Sequence, residues 1–338
     1  MPKQQKPIVF LYTFLLVTTL LICACKPTTT PTDEPTSPPH PTDTTIPEPV
    51  EKFLETSEPM ADQIALTDGF EREVILTKPA QRIVSIAPSN TEILFVIGAG
   101  PQVVGRDDFS DYPPEAVDIT SVGSMYGDLN AENIIALEPD LILAAMINSP
   151  EHVQALEDLG LTVFVLPNPM GMDELYQILE MAGKLTGREI EVATLVEGLT
   201  ARVDTVFSKL VGAEPVKVYY EVDGTDPNAP WTIGTDTFQD VLIRIAGGEN
   251  IAADVQGYVL FSLEELVARD PAVMIFSAGP WVTTTPESVS ERPGWGDISA
   301  VANEEVYGID ANWIDRPGPR MVDALEAMAM ILHPERFE

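Results

Sequence analysis

The chain has 338 residues, 19 of them basic and 53 acidic, for a formal net charge of −34. A surface this acidic repels nucleic acid and anionic lipid headgroups, which argues against a phosphate-backbone partner. Its two cysteines, Cys23 and Cys25, both sit near the N terminus, so the rest of the chain has no disulfide, thiol nucleophile or thiolate metal site and must hold together by its core.

MPKQQK opens the chain with two lysines, and an apolar run follows from Ile8 to Ala24. This is the n-region and h-region pattern of an export signal, and at about seventeen residues the run is marginal for crossing a bilayer. Leu21-Ile22-Cys23-Ala24 before Cys25 resembles the lipobox of bacterial lipoproteins, which implies a signal peptide over residues 1–24 and a lipid on Cys25. An uncleaved anchor and ordinary secretion are the alternatives. From Lys26 to Pro49 threonine and proline dominate, with hardly an apolar side chain to bury. That composition reads as a disordered tether over residues 25–55. Its threonine density also suits O-glycosylation, and His40 within it has no partner pattern.

The body begins with IALTDGFEREVIL, residues 64–76, which alternates around Asp68-Gly69 and predicts a hairpin. RIVSIAPSNTEILFVIGAG follows. It predicts a strand over Ile83–Ile86, a helix capped by Ser89 or Asn90 with Glu92 in its first turn, and a stop at Gly98. A short strand at 103–105, a helix from Ala131, a buried strand at Leu141–Leu143 and a further helix and strand over 151–167 complete the first half. Strands this uniformly apolar imply a parallel sheet covered on both faces, hence an α/β fold. Residues 173–212 are helical, with one segment over MDELYQILEMAGKL and a second of about six turns after Thr186-Gly187. Two readings stand: two helices of one domain, or a crossover between lobes.

The pattern then resumes: a strand at 216–222, WTIGTDTFQDVLIRIAGG as loop, cap and helix, and SLEELVARDPAVMIFSAG as helix then strand. NAENIIALEPDLIL and SLEELVARDPAVMI match in design. Each has a capping Asn or Ser, a glutamate two residues later (Glu132, Glu264), an apolar helix face, an acidic-Pro stop and a buried strand. Coming at the same place in both halves, they argue for two similar lobes, an N-terminal one over 56–172 and a C-terminal one over 213–338.

RIVSIAPSNTEILFVIGAG, FSDYPP, DLNAENIIALEPDLILA, WTIGTDTF and NWIDRPGPR, in this order, resemble the substrate-binding proteins of ABC importers for cobalamin, haem and ferric siderophores, above all the cobalamin-binding members. The resemblance implies two Rossmann-like lobes with central, mostly parallel sheets, joined by a single long helix, and a ligand cleft between them. It implies no cofactor and no resident metal. It also implies docking onto a permease dimer, served by a cytoplasmic ATPase, through Glu132 and Glu264, each of which also suits the dipole of its helix.

Cleft-lining loops belong at the C-terminal ends of the strands. The candidate ligand contacts are Phe109, Tyr126 and Met146 from the first lobe and Trp231, Tyr258, Trp313 and Arg316 from the second. Flat rings need flat apolar walls, which aromatic side chains provide. Tyr126 and Met146 stand where the cobalamin-binding members carry tryptophans, and Tyr258 replaces another, which widens the range of rings that fit. Arg316 and Arg320 lie near Trp313, and Arg106 and Arg316 are rare cations that suit a ligand carboxylate or phosphate and a surface salt bridge equally. Trp281 and Trp295 suit the cleft rim or local packing. A haem iron would have to use Tyr112, Tyr126 or Tyr258, since the histidines of the body, His152 and His333, sit at a helix start and near the C terminus. The expected solute is cobalamin or a related corrinoid, with a ferric siderophore or haem as the alternative.

Two other classes compete. An enzyme would need a nucleophile elbow, a HExxH motif or a paired-histidine cluster, none of which occurs, and Gly98-Ala99-Gly100 follows a helix instead of opening one. Asp107-Asp108 reads as loop solvation. A structural surface lipoprotein would bind no small molecule. The expectation is a monomeric, lipid-anchored, extracytoplasmic solute carrier without enzymatic activity.

Overall fold

The computed structural model describes residues 63–124, 129–280 and 282–338. The expected export signal, Cys25 and the tether lie outside the described residues, as do Tyr126 and Trp281. The chain divides into units 1–56 and 57–338, and everything described belongs to the second. Among the described residues no helix is long and apolar enough to cross a membrane.

Strands β1 (Ile64–Thr67) and β2 (Glu73–Leu76) form the expected hairpin, with Ile64 opposite Leu76. Asp68 organises its loop. Oδ1 accepts from the N–H groups of Phe70 at 2.9 Å and Arg72 at 3.0 Å, and Oδ2 pairs with the Arg72 guanidinium. Oδ2 also accepts from Val165 N at 3.3 Å, and Gly69 N donates to Val165 O at 2.7 Å. The hairpin is thereby fastened to the first lobe at its tip. Burial pushes the Asp68 carboxyl up, but Arg72 and the three N–H groups outweigh it and hold the group below its ordinary value.

The first lobe follows as β3 (Ile83–Ser85), α1 (Pro88–Val96), β4 (Val103–Arg106), α2 (Ala131–Ala136), β5 (Leu141–Ala145), α3 (Pro150–Asp158) and β6 (Val163–Leu166). The sheet is parallel, in the order β4-β3-β5-β6. Every residue of β3, β5 and β6 is buried, as the unbroken apolar runs required. The start of α1 differs from expectation: neither Ser89 nor Asn90 caps it. Pro88 occupies its first turn, the cap position Ala87 makes no side-chain bond, and Ser89 and Asn90 are buried within the helix. A proline with its fixed φ starts the helix in place of a capping oxygen. Glu92 lies beyond the first turn and is buried.

Helices α4 (Met172–Thr186) and α5 (Glu189–Leu210) lead into the second lobe. Gly187 ends α4 with φ +70°, and a Cβ on Gly183 would lie 2.9 Å from the Val192 side chain, so this elbow depends on glycine. With 22 residues, α5 is about 33 Å long.

The second lobe contains β7 (Val216–Asp223), β8 (Trp231–Ile233), α6 (Phe238–Ile245), β9 (Gly248–Asn250), β10 (Tyr258–Leu260), α7 (Leu263–Arg269), β11 (Val273–Ala278), α8 (Pro286–Ser290), α9 (Ser299–Ala302), β12 (Val306–Asp310), α10 (Ala311–Ile314) and α11 (Met321–Leu332). Its parallel strands run in the order β9-β7-β11-β12, the arrangement of the first lobe repeated. The segment 231–233, expected as loop, is instead strand β8, antiparallel between β7 and β10. Trp, Thr and Ile fit a pleated surface well enough to extend the sheet there.

The matched helix-proline-strand segments occupy equivalent places as α2–β5 and α7–β11. Asn130 accepts from Asn133 N at 3.0 Å and Ser262 from Glu265 N at 3.1 Å. The acidic residue before each proline turns left-handed, Glu138 at φ 47° and Asp270 at φ 46°. The largest apolar cluster runs from Ile83 and Leu143 through Leu179 and Val203 to Tyr220 and Ile275, so one core joins the two sheets through the central helices. Separate clusters cover the outer faces.

Asp68→Ala should lower stability by about 2 kcal/mol in urea unfolding, because buried N–H donors lose their acceptor. The folded carboxyl is held below its unfolded value, so its contribution is complete above about pH 4 and fades as pH falls through the folded value. The wild-type advantage over the variant should therefore shrink on acidification.

Candidate functional site

In the first sheet the chain steps from β3 outward to β4 and then crosses to β5 on the other side. Open α/β sheets bind ligands at such a switch, beyond the C-terminal strand ends. A cavity of about 560 Å³ lies there. Ala87–Ser89 after β3, Phe109 after β4, Ala145–Ile147 at the end of β5 and Asn168 after β6 form one wall. Phe238, Tyr258 and residues between Ala311 and Pro317 form the other.

Polar bonds beneath the surface fix these loops. Asn148, buried, accepts from Ala145 N at 2.9 Å and donates to Ile86 O at 3.2 Å, tying the ends of β5 and β3 together. Asp107 is also buried, not solvated as expected, and accepts from Phe109 N at 2.6 Å and Ser110 Oγ at 3.1 Å. Burial pushes its carboxyl up, partly offset by those donors. Met146 rests against the hairpin: a Cβ on Gly69 would lie 2.7 Å from its sulfur. On the facing wall the Tyr258 hydroxyl donates to Gln239 Oε1 at 3.2 Å, and Gln239 Nε2 donates to Ile314 O at 3.4 Å. Burial and the nearby Asp315 push the Tyr258 phenol up, against the Gln239 hydrogen bond, so it stays neutral.

Ion pairs cross between the lobes beside the cavity. Arg316 Nη1 lies 2.8 Å from Asp111 Oδ1. Arg320, at the head of α11, pairs with Glu92 of α1, and its guanidinium sits 3.8 Å from the centroid of the Tyr112 ring. Glu92 is 3% exposed. Burial pushes its carboxyl up, and Arg320 offsets part of that rise.

Of the residues singled out in the sequence, Phe109, Met146, Tyr258 and Arg316 come together around the cavity. Trp231, on β8, and Trp313, packed against the main core, lie outside its lining. Trp295 is fully buried against Tyr219 and donates from its indole to Pro227 O at 2.9 Å. Arg106 donates to the carbonyls of Asp107 and Val117. Glu132 and Glu264 are both exposed. Asn168, Phe238, Asn312 and Asp315 line the cavity without having been singled out. The strand-end rule applied to β6 and β12 would have reached Asn168 and the 311–317 segment. Phe238 carries no signal beyond that of an apolar helix start. Among the described residues no group of three or more His, Cys, Asp or Glu could hold a metal ion.

Residues 83–313 match the family described as periplasmic binding protein. The uncharacterized ABC transporter substrate-binding lipoprotein YvrC of Bacillus subtilis is 31% identical over 281 residues, covering 81% of this chain and 87% of its own length. The solved structure of a possible iron-binding (periplasmic solute-binding) protein of Staphylococcus epidermidis is 30% identical, covers 76% of this chain and 100% of that one, and superposes with a TM-score of 0.67. The periplasmic vitamin B12 binding protein BtuF of Vibrio cholerae is 26% identical, with coverages of 77% and 99% and a TM-score of 0.64. The chain belongs to the periplasmic binding protein family.

Arg320→Ala would leave Glu92 buried without its cation and should cost about 3 kcal/mol or more in urea unfolding. A Glu92→Gln/Arg320→Met double variant should recover most of that loss, since no buried charge then remains. Simple additivity of the single variants Glu92→Gln and Arg320→Met in this double variant would assign the loss to packing instead.

Proposed function

We propose that this chain is the extracytoplasmic solute-binding subunit of an ABC importer, that it captures cobalamin or a related corrinoid in the inter-lobe cleft, and that it passes the solute to a permease dimer. The observation that carries the reading is the cleft itself: Phe109, Met146 and Tyr258 form apolar walls at strand ends in two lobes of one design. The B12-binding relative and the ABC substrate-binding relative support it from the side of sequence. On this reading residues 1–24 are removed, Cys25 carries lipid, residues 25–55 lift a monomeric body off the membrane, 56–172 and 213–338 are the lobes, and 173–212 bridge them. Tyr126, Trp231 and Trp313 complete the ligand contacts.

A ferric siderophore or haem is the second reading, favoured by the iron-binding description of the Staphylococcus relative. Tyr258 speaks against iron ligation from this wall. Its hydroxyl already donates to Gln239 Oε1, at 3.2 Å.

Equilibrium dialysis of the full-length protein against cyanocobalamin, haemin and two ferric siderophores of opposite charge tests the solute. Saturable one-to-one binding of the corrinoid is the expected result. Binding of haemin or a siderophore alone would keep the importer and replace its ligand.

Glu132 and Glu264 stand exposed at the starts of the matching helices α2 and α7, where two separated anionic points can index a two-lobed protein on a two-subunit permease. Reversing both charges to lysine should abolish uptake in cells while leaving solute affinity intact. Undiminished uptake would remove these residues from the docking surface.

A further inference from the structure

We infer that Asp315 makes the cleft selective by charge, favouring cationic and neutral corrinoids over anionic ones. The inference rests on the corrinoid reading above and adds a rule about which members of that class are held.

Asp315 and Arg316 are the charged residues among the described lining of the cavity. They do not cancel each other. Arg316 is turned to Asp111, 2.8 Å away, with its side chain only 13% exposed. Arg320, the next cation along the chain, is held by Glu92 and lies over Tyr112. Both guanidinium groups are thereby neutralised before any ligand arrives. Asp315 has no such partner. It accepts from the Tyr220 hydroxyl at 3.4 Å and interacts with the Ser277 side chain, and among the described residues no lysine or arginine lies within ion-pair distance. Neutral hydroxyl donors orient a carboxylate but leave its charge in place. The surrounding protein pushes the Asp315 carboxyl up, but the side chain is exposed to the open cleft, where water keeps the carboxylate ionised at neutral pH.

The field in the cleft is therefore that of one uncompensated anion between low-dielectric walls, in a protein that is itself strongly acidic. An anionic solute meets repulsion there with no free cation to offset it. A corrinoid without acidic groups meets none, and one carrying net positive charge gains attraction. The same field disfavours haem, with its two propionates, and anionic catecholate siderophores.

The test is equilibrium dialysis of the full-length protein at low ionic strength with three probes: singly cationic aquacyanocobinamide, neutral cyanocobalamin and a singly anionic cyanocobalamin monocarboxylate. The readout is the ratio of cation to anion affinity, compared between wild type and Asp315→Asn, so that differences in probe shape cancel. The ratio should fall about tenfold in the variant, equivalent to about 1.4 kcal/mol. Added salt should narrow the same ratio in the wild-type protein, and Asp315→Ser, which removes the same charge, decides the matter if the asparagine variant does not fold. A ratio unchanged by the substitution, or a wild-type ratio indifferent to salt, overturns the charge rule and leaves the corrinoid reading standing. Failure of the wild-type protein to bind any of the three probes overturns the corrinoid reading and the charge rule with it.

Discussion

A buried ion pair, Glu92 with Arg320, ties the first lobe to the second, and the geometry of the cleft depends on it. Neither ion is stable alone at that place, because removing a charge from water costs several kcal/mol unless an opposite charge meets it. The pair therefore forms only when α1 and the head of α11 are correctly placed, and it penalises arrangements in which they are not. Tyr112 beneath the guanidinium adds a contact that depends on the same placement. The continuous core through α4 and α5 acts in the same direction. The facing walls of the cavity are thus held in place by the fold itself.

The same logic governs the other arginines. Arg202 on α5 meets Asp323 and Glu326 on α11, Arg292 meets the buried Glu221 and lies over the Trp295 ring, and Arg72 meets Asp68 and Glu157. In a chain with 19 basic and 53 acidic residues, cations are scarce, and those named here are placed where they join elements distant in sequence. The excess acid stays largely at the surface, where water solvates it and mutual repulsion keeps the protein soluble. The cleft receives what this arrangement leaves: Arg316 already paired, and Asp315 not.

Much of the fold was legible in the sequence because its signals are local. Unbroken apolar runs such as LILAA and VFVL announce buried parallel strands, and the repeated helix-proline-strand segment announces two lobes of one design. The residues that escaped were those whose partners are remote. Glu92 looks like a helix-start acid in isolation, and only the fold brings Arg320 to it across 228 positions of sequence. Asp107 looks like part of a solvated loop until the strand ends close around it. Aromatic residues were the least legible, because a wall and a core ask for the same side chains: Phe109 and Tyr258 reach the cavity, whereas Trp295 is buried in the second lobe. Tyr126, Trp281 and Cys25 lie outside the described residues.

Two lobes with the same strand order do not make a symmetric cleft. In the first lobe the switch between β3 and β5 is open, and the loops there present Ala87, Pro88, Met146 and Ile147. In the second lobe the equivalent end of β7 is covered. Glu221 is bound by Thr284 and Arg292 from the segment that follows β11, which packs against that end of the strand. The second lobe therefore reaches the cavity from the side, through β10, the start of α6 and the stretch after β12, and that stretch carries Asn312, Asp315 and Arg316. The result is a largely apolar wall facing one that mixes aromatic, amide and charged groups. An apolar group placed between the walls meets complementary surface on the first, whereas a polar group there would lose water without gaining a partner.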